Sequence, residues 1–325
     1  MKKTIALVFV LAILLTSCRL ADKLRNPATP PPSAAVPPAA ISATPVSVST
    51  PFDSSRLGTT ERDVTYCTVD GVALKMDIYY PASADGLWPV VLYVHGGAWV
   101  RGSKSEGAGM GDQFALTAAG FLYVAIDYRL APEYKFPAMI EDAKCAVRYL
   151  RAHSMEYNLD PERIGALGGS AGGHLVSLLG LSDPSAGWDV GQYLDQSSRV
   201  QAVVDYFGPS DLTVSSFDTE ENGNNAVEVF GTDDPNDPAL AAASPVTYIT
   251  SDDPPFLILH GNKDTAVPIA QSQILYDQLT AAGVPATFVI VRNAGHGFAP
   301  TGGTISPTRQ EISQMVVNFF NQHLK

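Results

Sequence analysis

Arg163-Ile-Gly-Ala-Leu-Gly-Gly-Ser-Ala-Gly-Gly-His174 is the stretch that decides the fold. It reads as an apolar strand, a tight turn and a helix. Gly168-Gly169-Ser170-Ala171-Gly172 matches GxSxG, in which a serine sits on a sharp strand-to-helix turn. The turn strains the Ser170 backbone, and small neighbours let strand and helix approach closely. The Ser170 hydroxyl then stands at a helix N-terminus, where developing negative charge is favoured. GxSxG alone is a weak signal, because Gly and Ser are common. Its weight comes from the apolar strand before it and the helix Ala171 to Leu181 after it. A phosphate-binding loop is the competing use of such glycines. This stretch has no GxGxxG, and Gly97 to Lys104 offers Gly-Ser-Lys where a P-loop needs Gly-Lys-Ser/Thr.

Working outward, short apolar runs alternate with helical patterns. Val64 to Val69 and Val72 to Tyr80 flank Asp70-Gly71, a hairpin signal. Pro89 to His95, Phe121 to Asp127, Arg163 to Gly169, Val200 to Phe207, Pro255 to His260 and Ala286 to Val291 suit buried parallel strands. Ala138 to Leu150 sets Met139, Ala143, Ala146, Val147 and Leu150 on one helical face. Ile269 to Ala282 and Arg309 to Leu324 read as further helices. The expected fold is α/β: a doubly wound, mostly parallel eight-stranded sheet flanked by helices. In such sheets ligands sit beyond the carboxyl ends of the strands.

Polar residues just past those ends are therefore the candidates. A serine hydroxyl needs an adjacent base. Of six histidines, His296 lies in a loop just after the Ala286 to Val291 strand. The base needs a carboxylate to fix its tautomer. Asp264 follows another strand end, and Asp205, inside the Val200 strand, is the rival acid that better suits a structural hydrogen bond. The order Ser170, Asp264, His296 is that of the Ser…Asp…His hydrolases. His95-Gly96-Gly97-Ala98-Trp99 follows a strand, and its glycines bring backbone N–H groups close to a substrate. With the N–H of Ala171 these form an expected oxyanion hole, either Gly96 and Gly97 or Gly97 and Ala98 serving from the loop. His95 is expected to brace that loop, and His174 to point away from Ser170 or pack beneath it.

Composition narrows the remaining classes. The chain has 325 residues, 46% apolar and 17% charged, enough for a substantial core. The balance 21 − 33 = −12 argues against a nucleic-acid partner, which would need clustered Lys and Arg. No CxxC or HExxH is present, so no metal site is expected. Asp183 to Asp253 carries 14 acidic residues and one basic residue, Arg199. It reads as an irregular insertion, either a small cap over the site or solvated loop. Asp233, Asp234 and Asp237 within it lack EF-hand spacing.

The N-terminus reads as an address. Met1-Lys2-Lys3 precedes an 11-residue apolar run, Ile5 to Leu15, too short to span a bilayer. Leu15-Thr16-Ser17-Cys18 resembles a bacterial lipobox. Residues 1–17 are thus expected to be a lipoprotein signal peptide and Cys18 the lipidated residue, placing the catalytic domain outside the cytoplasm on a membrane anchor. Removing Lys2 and Lys3 makes the balance 19 − 33 = −14. Residues 26–51 hold eight prolines and no charge, so 18–56 reads as an extended tether and 57–325 as the folded domain. Cys67 and Cys145 remain; in an exported protein they could pair. On the helix, Cys145 falls on the Glu141 and Arg148 side, opposite the apolar stripe.

Five motifs in one order carry a resemblance. They are His95-Gly-Gly-Ala-Trp99, Asp127-Tyr-Arg-Leu-Ala-Pro-Glu133 with Phe136-Pro137, Gly168-Gly-Ser-Ala-Gly-Gly-His174, His260-Gly-Asn-Lys-Asp264 and Gly295-His-Gly-Phe298. Over about residues 60–325 the chain resembles the α/β-hydrolase superfamily. Within it the likeness is to the BD-FAE-like bacterial esterases, neighbours of the hormone-sensitive lipase group. Gly169 and Ala98 stand where the lipase pattern usually has Asp and a third loop Gly. The resemblance implies ester hydrolysis through an acyl-serine intermediate, with Ser170 as nucleophile, His296 as base and Asp264 orienting it. It implies no cofactor, and substrates such as small aliphatic esters or acetylated and feruloylated saccharides. Asp127, Arg129 and Glu133 fall in the family's structural turn. Two other readings share the fold: a serine peptidase of the prolyl-oligopeptidase type, and a non-catalytic binding module.

Overall fold

The computed structural model describes residues 52–83, 86–214 and 223–325. The expected signal peptide, Cys18 and the expected tether up to residue 51 lie outside the described residues. Eight strands form one sheet: β1 (Thr60–Val69), β2 (Val72–Tyr79), β3 (Trp88–Val94), β4 (Leu122–Ile126), β5 (Leu159–Gly169), β6 (Val203–Tyr206), β7 (Phe256–Gly261) and β8 (Ala286–Val291). Their order is β1-β2-β4-β3-β5-β6-β7-β8. The first two pairings, β1 with β2 and β2 with β4, are antiparallel; all others are parallel. Asp70 and Gly71, both at positive φ (+52° and +83°), close the β1–β2 hairpin.

The apolar runs are strands because they are covered on both faces. Along β3, Val90, Leu92 and Val94 face one core while Val91 and Tyr93 face the other. The helices α2 (Ala138–Ala152), α3 (Ala171–Leu181) and α6 (Ala270–Ala281) complete the first core. The second is filled by α1 (Gln113–Ala118) and α7 (Arg309–Leu324), through Leu116, Ile312, Val316 and Phe320. Each fully buried Leu, Ile or Phe contributes roughly 1.5–3 kcal/mol. Thr308 caps α7 by accepting from the Glu311 N–H, and Glu311 returns a carboxylate to the Thr308 N–H, a reciprocal box.

Three sequence expectations shift. The strand read from Val200 to Phe207 is only β6, because Gln201 bonds back to the Ile164 carbonyl and Phe207 turns to φ +44°. Phe52 to Arg56, assigned to the tether, pack on the domain: the Phe52 ring meets Trp88 edge-on at 5.1 Å, and Arg56 pairs with Glu61 at 3.3 Å. The α2 helix is not a surface helix with one polar face. The loop after α3 covers that face, where buried Arg148 and Lys144 both reach Asp189, at 2.6 and 3.3 Å. Burial holds the pKa of both cations below their ordinary values, against the pull of Asp189.

The acidic insertion holds α4 (Gly223–Phe230) and α5 (Pro238–Ala243). Its aspartates are largely caps and turns. Asp237 accepts from Ala239 N–H at the start of α5, Asp234 from Asn236 N–H, and Asp211 from Thr213 N–H. Phe230 of α4 packs on Trp99 and Phe136, so the segment forms a wall near the strand ends rather than only solvated loop.

Covering α2 also brings Cys145 to Cys67. Both are buried, and they form a disulfide with Cα atoms 6.5 Å apart, tying β1 to α2. The bridge spans 78 residues, a closure that the chain-entropy picture values at about 4 kcal/mol. The Cys67→Ala/Cys145→Ala double variant should lose about 2–4 kcal/mol of unfolding free energy in urea titrations. An unchanged midpoint at unchanged slope would show that the bridge constrains nothing.

Candidate active site

Five consecutive parallel strands, β3, β5, β6, β7 and β8, end at one rim, and each end supplies a part of the site. After β5 the chain reverses at Ser170, whose φ/ψ of +57°/−124° is a strained conformation for any residue with a side chain. Its neighbours hold it there. A Cβ on Gly172 would lie 2.1 Å from the Val94 carbonyl oxygen, and one on Gly168 would lie 2.3 Å from that of Gly172. The Ser170 N–H donates to the Tyr206 carbonyl at 2.8 Å, and the Ser170 carbonyl accepts from His174 N–H at 3.0 Å. The elbow is thus clamped between β3 and β6 while the hydroxyl stays accessible.

The chain after β7 turns on Asp264. One carboxylate oxygen, Oδ1, accepts from the N–H groups of Ala266 and Val267, both at 2.9 Å. The other faces the His296 Nδ1 at 2.8 Å, and His296 Nε2 lies 3.0 Å from Ser170 Oγ. The two loops are laced together: Lys263 N–H donates to the Ala294 carbonyl, and Asn293 N–H to the Asn262 side chain, both at 2.8 Å. The ring of Phe207 meets His296 edge-on at 4.7 Å.

The Asp264 side chain is fully out of solvent, whereas about a third of the His296 side chain is exposed. Burial pushes the Asp264 pKa up. Hydrogen bonds from His260 and His296, the His296 charge and the Val267 N–H outweigh it and hold the carboxyl well below its usual range. An ionised Asp264 accepts the Nδ1 proton of His296, leaving Nε2 free to take a proton from Ser170. Asp205, the rival acid, joins a different contact: Oδ1 accepts from Gly208 N–H at 2.9 Å. Burial raises its pKa to about 6.

The loop after β3 lies directly on the elbow. A Cβ on Gly96 would fall 2.7 Å from the Gly169 carbonyl oxygen and 3.3 Å from Ser170 Cβ. Gly97, Ala98 and Trp99 all have positive φ, at +116°, +53° and +60°. Among the described residues, no acceptor takes up the N–H of Gly96, Gly97 or Ala98. Ala171 opens α3, so its N–H lacks an intrahelical partner. His95 donates from Nδ1–H to the Gly96 carbonyl at 2.7 Å and stacks on Tyr128, which braces the loop. His174 lies beneath it, fully buried: Trp99 Nε1–H donates to Nδ1 at 3.2 Å and Nε2 faces the Ala243 carbonyl at 2.8 Å. Burial lowers its pKa to about 4, so it is a neutral part of the core.

These parts enclose a cavity of about 690 Å³. Ser170 and His296 line it together with Arg101, Glu106, Phe207 and Val267. Asn225 of α4 also lines it. Among the described residues no group of three or more His, Cys, Asp or Glu is disposed to hold a metal ion. Asp127, Arg129 and Glu133 lie apart from the cavity. Arg129 forks onto Asp142 of α2 at 2.8–3.0 Å, and Asp127 accepts from Lys104 N–H at 2.7 Å. Sequence reasoning missed Phe207, Asn225 and the contact of His260 with Asp264. Each depends on which loops meet in space, and only the position of Phe207 just past a strand end offered a signal.

Comparison with known proteins places this geometry. The BD-FAE family model matches residues 76–279. The probable carboxylic ester hydrolase LipM of Mycobacterium tuberculosis is 36% identical over 214 residues, covering 64% of this chain and 49% of LipM. The chain spans about half the length of the curated relatives it matches. Among solved structures, a truncated carbohydrate esterase from gut microbiota superposes with a TM-score of 0.69 at 29% identity, covering 84% of this chain and 99% of that one. Thermogutta terrifontis esterase 2, solved phosphorylated by paraoxon, gives 0.66 at 26% identity, with 81% and 94% covered. The family-model match spans most of the chain, and the sheet, the elbow and the loops around it agree with it: the chain belongs to the BD-FAE family of the α/β-hydrolase fold.

Proposed function

We propose that the protein is a serine carboxylesterase working through an acyl-serine intermediate. The observation that carries this reading is the hydrogen-bonded row Ser170–His296–Asp264, at 3.0 and 2.8 Å, opening into a cavity beside free backbone N–H groups. Ser170 Oγ attacks the ester carbonyl carbon while His296 Nε2 takes its proton. The carbonyl oxygen becomes the oxyanion and is received by N–H groups of the Gly96–Ala98 loop and of Ala171. Collapse breaks the bond to the alcohol oxygen, and His296 returns the proton to that oxygen. Water, deprotonated by His296, then attacks the acyl-serine and frees the acid and Ser170.

Short acyl esters, including acylated saccharides, are the proposed substrates. Arg101 and Glu106 in the cavity lining offer donors and an acceptor, which suits a hydroxyl-rich ring. The likeness to a carbohydrate esterase supports the same class. The N-terminal reading extends the proposal to place: export, followed by lipidation at Cys18. A Cys67–Cys145 bridge suits an oxidising compartment.

Ser170→Ala should abolish hydrolysis of p-nitrophenyl acetate and of acetylated xylooligosaccharides while leaving the circular-dichroism spectrum unchanged; turnover at the wild-type rate would remove the mechanism. Paraoxon should inactivate the wild type, with mass spectrometry locating one phosphoryl group at Ser170. Gly96→Ala pushes the loop off the elbow and should cut kcat by about 10²–10³. A kcat near wild type would mean that the loop donors lie elsewhere. Full-length protein expressed in a bacterium should sediment with membranes, and Cys18→Ser should move it to the soluble fraction. Wild-type protein in the soluble fraction would exclude the anchor.

A further inference from the structure

The Asp264 carboxylate has a second imidazole beside it. His260, fully buried at the end of β7, points Nε2 at the Val267 carbonyl from 2.8 Å and at Asp264 Oδ2 from 3.4 Å. A carbonyl oxygen only accepts, so Nε2 carries the proton. Nδ1 lies 2.7 Å from the Ser272 hydroxyl of α6, which therefore donates to it in the neutral ring. Val267 is also the residue whose N–H donates to Asp264 Oδ1. The ring thus grips the Asp264 turn at both of its ends.

We propose that His260 is a positioning residue that aims the Asp264 carboxylate at His296, with Ser272 setting its tautomer. This deepens the triad reading above and rests on it. Asp264 Oδ2 lies 2.8 Å from His296 Nδ1 and, more distantly, 3.4 Å from His260 Nε2, whose proton also serves the Val267 carbonyl, so both imidazoles bear on where the oxygen sits. A carboxylate shut off from water takes up a proton unless donors hold the charged form. The groups facing His260 are Asp205 from β6, Asp264 and, beyond that carboxylate, His296. The α6 helix presents the neutral Ser272, and Phe207 places its ring 6.2 Å away.

Loss of the His260 donor has two effects of one sign. Asp264 holds a proton more readily, and while ionised it is a more basic partner for the proton on His296. Both require a higher pH for a free base, so the acid limb of kcat/KM moves up. In His260→Leu, kcat for p-nitrophenyl acetate should fall about 10-fold or more with KM little changed. The acid limb should rise by about half a pH unit or more. His260→Gln, whose amide still donates, should return the limb toward wild type. A folded His260→Leu with its limb unmoved, whatever its kcat, overturns the proposal and leaves a packing role. Should His260→Leu fail to fold, Ser272→Ala is expected to move the limb in the same direction by less, and an unmoved limb there overturns it too. Ser170→Ala separates the two readings. An active Ser170→Ala variant defeats the triad itself, whereas an inactive one with unmoved limbs in the His260 and Ser272 variants defeats only the role of His260.

Discussion

The site depends on one buried carboxylate remaining charged. Asp264 has no solvent on its side chain, and burial alone would favour its neutral form. Two backbone N–H groups on one oxygen and two imidazoles near the other hold it ionised. From that charge follows the His296 tautomer, and from the tautomer the ability of Nε2 to receive a proton from Ser170. The loops after β7 and β8 must be laced together for this to hold. A neutral Asp264 would leave three well-placed side chains unable to move a proton in the required direction.

The nucleophile poses the opposite problem, a strained backbone that must not relax. Ser170 sits at φ +57° because the chain has no room to go elsewhere. Carbonyl oxygens of β3 crowd the elbow from one side, and Tyr206 accepts its N–H from another. The cost of that conformation, about 1–3 kcal/mol, is offset by the two cores that clamp the sheet. Strand packing and chemistry are thus one arrangement. The helix after the elbow is buried all round, which is why it has no polar face, His174 and Ser177 being its only polar side chains.

Much of this was legible along the chain. Strand ends could be read from apolar runs, and Ser170, Asp264 and His296 each follow one. The doubly wound sheet followed from the same alternation. What was hidden depended on contacts distant in sequence. Cys145 looked exposed on a helical wheel, because nothing local says that a loop bearing Asp189 folds over that face and neutralises Arg148. Phe52 sat in the expected tether, just past a proline-rich, charge-free run, and still docks on Trp88, because one aromatic ring outweighs its neighbours' composition. His260 read as the end of a strand; only the turn of the Asp264 loop brings its ring to the carboxylate. The aspartates of the insertion had a local explanation, as caps and turns.

The glycines around the elbow also divide the molecule by its capacity for change. Positions 96, 168 and 172 have backbone atoms where any side chain would begin, so evolution has almost no alphabet there. Arg101, Glu106 and Asn225, by contrast, line the cavity from loops and a short helix outside the clamped elbow. On the proposed reading, selectivity is therefore free to drift at these lining positions while the elbow stays fixed. A laboratory library aimed at new esters would do best to randomise those three and leave the glycines alone.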